Sequence, residues 1–100
     1  MILIYTVTSS QEEADRISDE LLERKLAACT NSWVIKSTYW WRGKKESSAE
    51  VALLIKTDDE KKNAVIAAVK ELHSYELPAI ISWSADVNSG YADWMGKSLK

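Results

Sequence analysis

The sequence predicts an α+β fold, with helices laid on one face of an antiparallel sheet. Two observations predict it. Apolar residues alternate between the two-residue period of strands and the 3.6-residue period of helices, in the order β, α, β, β, α, β. The right-handedness of a βαβ crossover then leaves few sheet topologies open to that order.

Ile2 to Thr8 is a β-branched apolar run that stops at Ser9-Ser10, and Ser10 with Glu13 three residues later forms a capping box. A helix follows from Gln11 to about Ala27. Ala14, Ile17, Leu21 and Leu22 recur at helical spacing, with Glu12, Glu13 and Asp15 early and Arg24 and Lys25 late, in the order the helix dipole favours. Residues Cys29 to Trp41 alternate, with Trp33, Ile35, Tyr39 and Trp41 on one side and Lys36 and Thr38 on the other. Arg42-Gly43-Lys44-Lys45 turns the chain, and Glu50 to Thr57 returns as the next strand.

Asp58 or Asp59 caps a second helix, whose stripe is Val65, Ile66, Val69 and Leu72, and Leu77-Pro78 follows its end. Ala79 to Val87 reads as a fourth strand. After Asn88-Ser89-Gly90, a short C-terminal helix from Tyr91 to Leu99 is expected to bury Tyr91, Trp94 and Met95. The whole is a ferredoxin-like βαββαβ sandwich with a long hairpin between its second and third strands.

Residues 1–100 are read as a single domain, because a second folding unit within 100 residues would be implausibly small. Hydrophobic residues at 46% are too many for a disordered chain, and a net charge of -2 supplies no global field for nucleic acid or an anionic membrane. The N-terminus has neither a basic segment nor an apolar run of about 20 residues, so it reads as a strand and not an export signal. With one cysteine, Cys29, no intrachain disulfide is possible. A cytoplasmic location is expected.

The second strand would span roughly 36 Å from Asn31 to Trp41 at about 3.3 Å per residue, against a diameter of roughly 26 Å for a compact domain of this size. Its tip must project. That tip carries Tyr39, Trp40 and Trp41 in succession, which makes both faces aromatic. Either the last helix or a neighbouring subunit must cover Trp40 and Trp41, and an obligate oligomer is favoured.

His73 is the only histidine, which excludes a catalytic triad or a His-rich metal site within one chain. At the end of the second helix it reads first as a C-capping residue and second as a ligand for copper or another soft metal. Cys29 reads as a buried, packed thiol, with a thiolate ligand as the alternative. Glu76, three residues after His73, and Glu50 could each add a carboxylate oxygen. These residues do not close a four-ligand site from one chain, so any bound metal is exchangeable. No glycine-rich phosphate cradle is present, and the serine pairs have no accompanying base, so no enzyme is expected.

Several motifs in order resemble the CutA divalent-cation tolerance family over nearly the whole chain. Leu26-Ala27-Ala28-Cys29-Thr30-Asn31 resembles its LAACVN stretch, and Tyr39-Trp40-Trp41-Arg42-Gly43 resembles its Y-x-W-x-G hairpin. Glu50 to Thr57 resembles E-V-x-L-x-I-K-T, His73 to Pro78 resembles H-P-Y-E-x-P, and Tyr91-Ala92-Asp93-Trp94 resembles the closing Y-x-x-W.

The resemblance implies a ferredoxin-like subunit, a homotrimer built through long hairpins, binding of copper and other divalent cations, and a role in metal-ion tolerance. It also implies an assembly like that of PII signalling proteins, whose regulatory trimers sense a small molecule between subunits and pass a signal to an unspecified protein partner. His73 carries over directly, with Cys29 as a family residue. Ser74 stands where the family has Pro, and Tyr5 where some copper-binding members have Cys.

An RNA-recognition module shares this element order, but Val51-Ala52-Leu53-Leu54-Ile55 lacks the aromatics that its third strand would present to bases. An acylphosphatase-like enzyme would need an arginine-bearing loop after the first strand, where Val7-Thr8-Ser9-Ser10 supplies none.

Overall fold

A computed structural model describes residues 1–100. The chain runs β1 (Ile2–Thr8), α1 (Gln11–Glu23), β2 (Cys29–Trp41), β3 (Lys44–Thr57), α2 (Lys62–Leu72), β4 (Ile80–Ser84) and α3 (Ser89–Ser98), with a 3₁₀ turn over Asp59–Lys61 before α2. The four strands form one antiparallel sheet in the order β2-β3-β1-β4. The architecture is the expected ferredoxin-like α+β sandwich.

Alternation along β1 sorts the two faces. Ile2, Ile4, Thr6 and Thr8 are buried under α1 and α2, whereas Leu3, Tyr5 and Val7 face the other side. Ile4, Ile17, Leu21, Leu53, Ile55, Val65 and Val69 are completely enclosed, each side chain contributing about 1.5–3 kcal/mol by leaving water. Thr57 and Thr8 enter the core only because Thr57 Oγ1 donates to Leu26 O at 2.6 Å and Thr8 Oγ1 to Val51 O at 2.9 Å. Thr6 Oγ1 is buried there without a partner.

Helix α1 ends at Glu23, short of Ala27, because Lys25 takes a positive φ of 59° and turns the chain into β2. Arg24 and Lys25 therefore lie beyond the last turn. Strand β3 begins at Lys44, six residues before the expected Glu50. Its first half is polar on both faces and gives no burial pattern, yet it pairs residue for residue with β2. Only Arg42 and Gly43, both at positive φ, separate the strands, the requirement of a type I′ turn. Since β1 pairs with β3 only from Val51 to Thr57, the rest of the hairpin projects as a two-stranded arm, and the molecule measures 45 × 24 × 21 Å.

Helix α3 buries Met95 and Leu99, and Tyr91 lies one turn before Met95 on the same stripe. Trp94 falls beside that stripe and stays 47% exposed, so the expected burial of all three aromatic and thioether side chains holds only for Met95. Lys61 Nζ fastens the helix end by donating to Leu99 O at 2.7 Å and to Lys25 O at 2.6 Å. Trp40 on the arm remains 75% exposed, and α3 does not cover it.

The face of the sheet opposite α1 and α2 carries a band of apolar side chains. Trp33, Ile81 and Trp83 are 44%, 55% and 45% exposed, and Tyr5 meets Trp33 edge to face at 6.4 Å. No helix in the chain is long and apolar enough to cross a membrane.

Candidate functional site

A cleft of about 550 Å³ opens where the arm, from Glu50 at its root to Trp41 beside its turn, faces the segment after α2. Ser37, Tyr39, Trp41 and Glu50 line the strand side, and Ser74, Tyr75, Glu76 and Leu77 line the loop side. Val7 and Ala79 complete it. Strand alternation explains the first wall: residues 37, 39 and 41 of β2 share a face, and Glu50 stands opposite Ile35 on that same face.

Three side chains hold the loop wall. His73 is the C-cap of α2, its backbone N–H donating to Val69 O at 3.0 Å. Its ring spans the strand and the loop. Nδ1 accepts from the Tyr75 N–H at 3.1 Å, so the proton sits on Nε2, which donates to Val7 O at 2.9 Å. The Tyr75 hydroxyl crosses the cleft to donate to Glu50 Oε2 at 2.5 Å. Burial and then this carboxylate push the Tyr75 hydroxyl well above the usual tyrosine range.

Glu13 is the third. Ser10 Oγ accepts from Glu13 N at 3.1 Å, the first half of the capping box. The returning carboxylate bonds Ser9 instead of Ser10: Oε1 accepts from Ser9 N at 2.8 Å and Ser9 Oγ at 3.1 Å. Oε2 accepts from Ser74 N at 2.7 Å, with Arg16 at 3.5 Å. Burial alone would raise this carboxyl, but the hydrogen bonds from Ser74 and Ser9 outweigh it and hold it at about 2.

The three residues singled out as metal donors do not converge within the chain. Glu76 is exposed on the cleft rim, one residue from Tyr75. His73 lies behind the loop with both ring nitrogens engaged. Cys29 is half-buried at the start of β2, opposite Lys56, which pairs with Leu3. Since His73 bonds Val7, the two levels are four residues apart along β1, roughly 13 Å. No three His, Cys, Asp or Glu side chains in the chain are grouped to hold an ion.

Cys29 has other company. Burial and the Cys29 thiol beside it push the Tyr91 hydroxyl up, against the pull of Lys56, whose Nζ lies 5.5 Å from the Tyr91 ring centre. Sequence reasoning missed Tyr75 and the anchoring role of Glu13. The capping box drew notice to Glu13, but its bond to Ser74 joins residues 61 apart, and no local signal reports it.

Comparison with known proteins places this arrangement. The divalent-cation tolerance protein CutA of Archaeoglobus fulgidus is 42% identical over 98 residues, 97% of this chain and 96% of its own. A solved structure from that organism, described as the periplasmic divalent cation tolerance protein CutA, superposes with a TM-score of 0.95 at 41% identity over the full length of both chains. The apo PII-like protein CutA of a Nostoc species superposes at 0.92 with 29% identity, covering 100% of this chain and 98% of that one.

These relatives overturn the cytoplasmic placement. One is periplasmic, and a rice relative 34% identical over 99% of this chain is chloroplastic, so the character of the first residues does not fix the compartment. The model of the CutA1 divalent ion tolerance protein matches residues 2–98. The chain belongs to that family.

Proposed function

We propose that the protein is a non-enzymatic, PII-like regulatory subunit that assembles as a homotrimer and takes a small molecule in the cleft between the arm and the 73–79 loop. The cleft's construction carries this reading. Its volume of about 550 Å³ falls within the few hundred to a thousand Å³ usual for small-molecule sites. One wall stands on strands, and Glu13, His73 and Glu50 fix the other, so it is formed before a ligand arrives.

The trimer is supported by what the chain leaves uncovered. An apolar sheet face bearing Trp33, Ile81 and Trp83 and an arm bearing Trp40 are the surfaces that a second copy would bury. A neighbour seated there would border the cleft and could report its occupancy. The lone imidazole is committed to Val7 and Tyr75, which favours binding over proton transfer.

Binding of copper, or another exchangeable divalent cation, through His73, Cys29 and Glu76 is the second reading. The family's association with divalent-cation tolerance favours it. It requires donors from a neighbouring subunit and release of one of the two hydrogen bonds of His73.

Native mass spectrometry decides between them. In chelator, the expected result is a trimer that retains a small molecule when exposed to the metabolite fraction of a cell extract. A monomer overturns the assembly. A trimer that gains only copper, with the gain lost in His73→Ala, transfers the conclusion to the second reading.

A further inference from the structure

The chemistry of the cleft walls selects among small molecules, and this inference rests on the cleft being the binding site. All ten residues lining it are neutral or acidic; no Lys, Arg or His is among them. Two carboxylates, Glu50 on β3 and Glu76 on the loop, border the same space. Two of the loop's amide donors are already engaged, Ser74 N on Glu13 and Tyr75 N on His73, so neither is available to cradle an anion. Arg42 lies over the far-end Trp41 ring at 5.5 Å from its centre and does not line the cleft.

The remaining surface is aromatic and aliphatic. Tyr39, Trp41 and Tyr75 supply aromatic rings, and Leu77 offers an exposed alkyl group. Aromatic rings beside carboxylates form the setting in which an ammonium group is held by its charge on both counts, by the ring quadrupole and by the acid. A phosphate or carboxylate would meet repulsion there without one compensating donor from a basic side chain of this subunit.

We propose that the cleft binds an organic cation, an amine whose ammonium lies between Glu50 and Glu76 and whose apolar body rests on Trp41, Tyr39 and Leu77. Glu50 keeps its bond to the Tyr75 hydroxyl through one oxygen, Oε2, and has a second oxygen for the ligand. Glu76, exposed and free of the loop's anchoring bonds, tunes affinity without supporting the fold.

Calorimetry with three probes of one shape and different charge tests this: phenethylamine, 3-phenylpropionate and 2-phenylethanol, each titrated into the intact assembly in chelator. Phenethylamine is expected to bind at least tenfold more tightly than either other probe, and Glu76→Gln to reduce that preference severalfold with unchanged circular dichroism. Equal or tighter binding of 3-phenylpropionate overturns the cation inference while leaving the cleft a binding site. If none of the three binds at millimolar concentration and native mass spectrometry finds no retained metabolite, the cleft reading itself falls. A preference for phenethylamine that Glu76→Gln and Glu50→Gln both leave intact places the amine elsewhere and likewise overturns the proposal.

Discussion

The Glu13 carboxylate and the Ser74 backbone amide, 61 residues apart, meet at 2.7 Å and tie the start of α1 to the loop that follows α2. One carboxylate thus serves as part of a helix cap and as the anchor of a cleft wall. The backbone amide that Ser74 supplies is one that a proline, the residue the motif resemblance would put at position 74, could not donate.

Glu13→Gln is expected to lower stability by about 2 kcal/mol at pH 7, the scale of hydrogen bonds to a charged acceptor. The native carboxyl is held at about 2, below its ordinary 4.5. Its contribution is therefore present above pH 4.5 and lost as pH falls toward 2. Urea unfolding of both proteins at pH 7 and pH 2.5 should show the gap narrowing at the lower pH; a constant gap would mean that the charge is not responsible.

His73→Ala removes an acceptor for Tyr75 N and a donor to Val7 O, and an expected loss of about 1–2 kcal/mol follows in chelator, without any metal present. Hydrogen exchange at Tyr75 should quicken in the variant. If stability falls only when copper is supplied to the wild type, the imidazole is a ligand first and a brace second.

Thr6 carries a buried hydroxyl with no partner, and by register it faces Leu53 and Ile80 across the sheet. Thr6→Val keeps the β-branch and removes the unsatisfied group, so a gain of about 1 kcal/mol is expected. A denaturation midpoint that stays put or drops would show that water satisfies the hydroxyl.

Trp83→Glu on the edge strand β4 places a charge on the helix-free face at a side chain 45% exposed in the isolated chain. The subunit should keep its circular dichroism while light scattering reports a fall from trimer mass toward monomer mass. Retention of the oligomer at micromolar concentration would remove this face from the interface.

The sequence announced the elements whose apolar side chains keep a strand or helix period. The alternation of Trp33, Ile35, Tyr39 and Trp41 identified β2 and its two faces, and both residue bounds were found. Where pairing alone makes the strand, as from Lys44 to Ala49, polar residues on both sides give no period to read. Burial also misled at Trp94, because a ten-residue helix shows too few turns to separate a stripe from its rim. The cleft was the least readable feature. His73 and Glu76 drew attention as ionisable residues near one another, but the roles of Val7, Ser74 and Glu50 around them come from contacts between distant segments.

The sheet order sets the order of biosynthesis against the order in space. Strand β1, translated first, lies between β3 and β4, and its Thr8 waits for Val51, 43 residues later, before its side chain finds its acceptor. The arm is the opposite case, since β2 and β3 meet across Arg42 and Gly43 and can zip together in microseconds. A ribosome-bound chain would therefore carry a finished aromatic ribbon and an unpaired Ile2-Leu3-Ile4-Tyr5 strand at the same moment. Closing that strand between its neighbours is the slow, long-range step of folding.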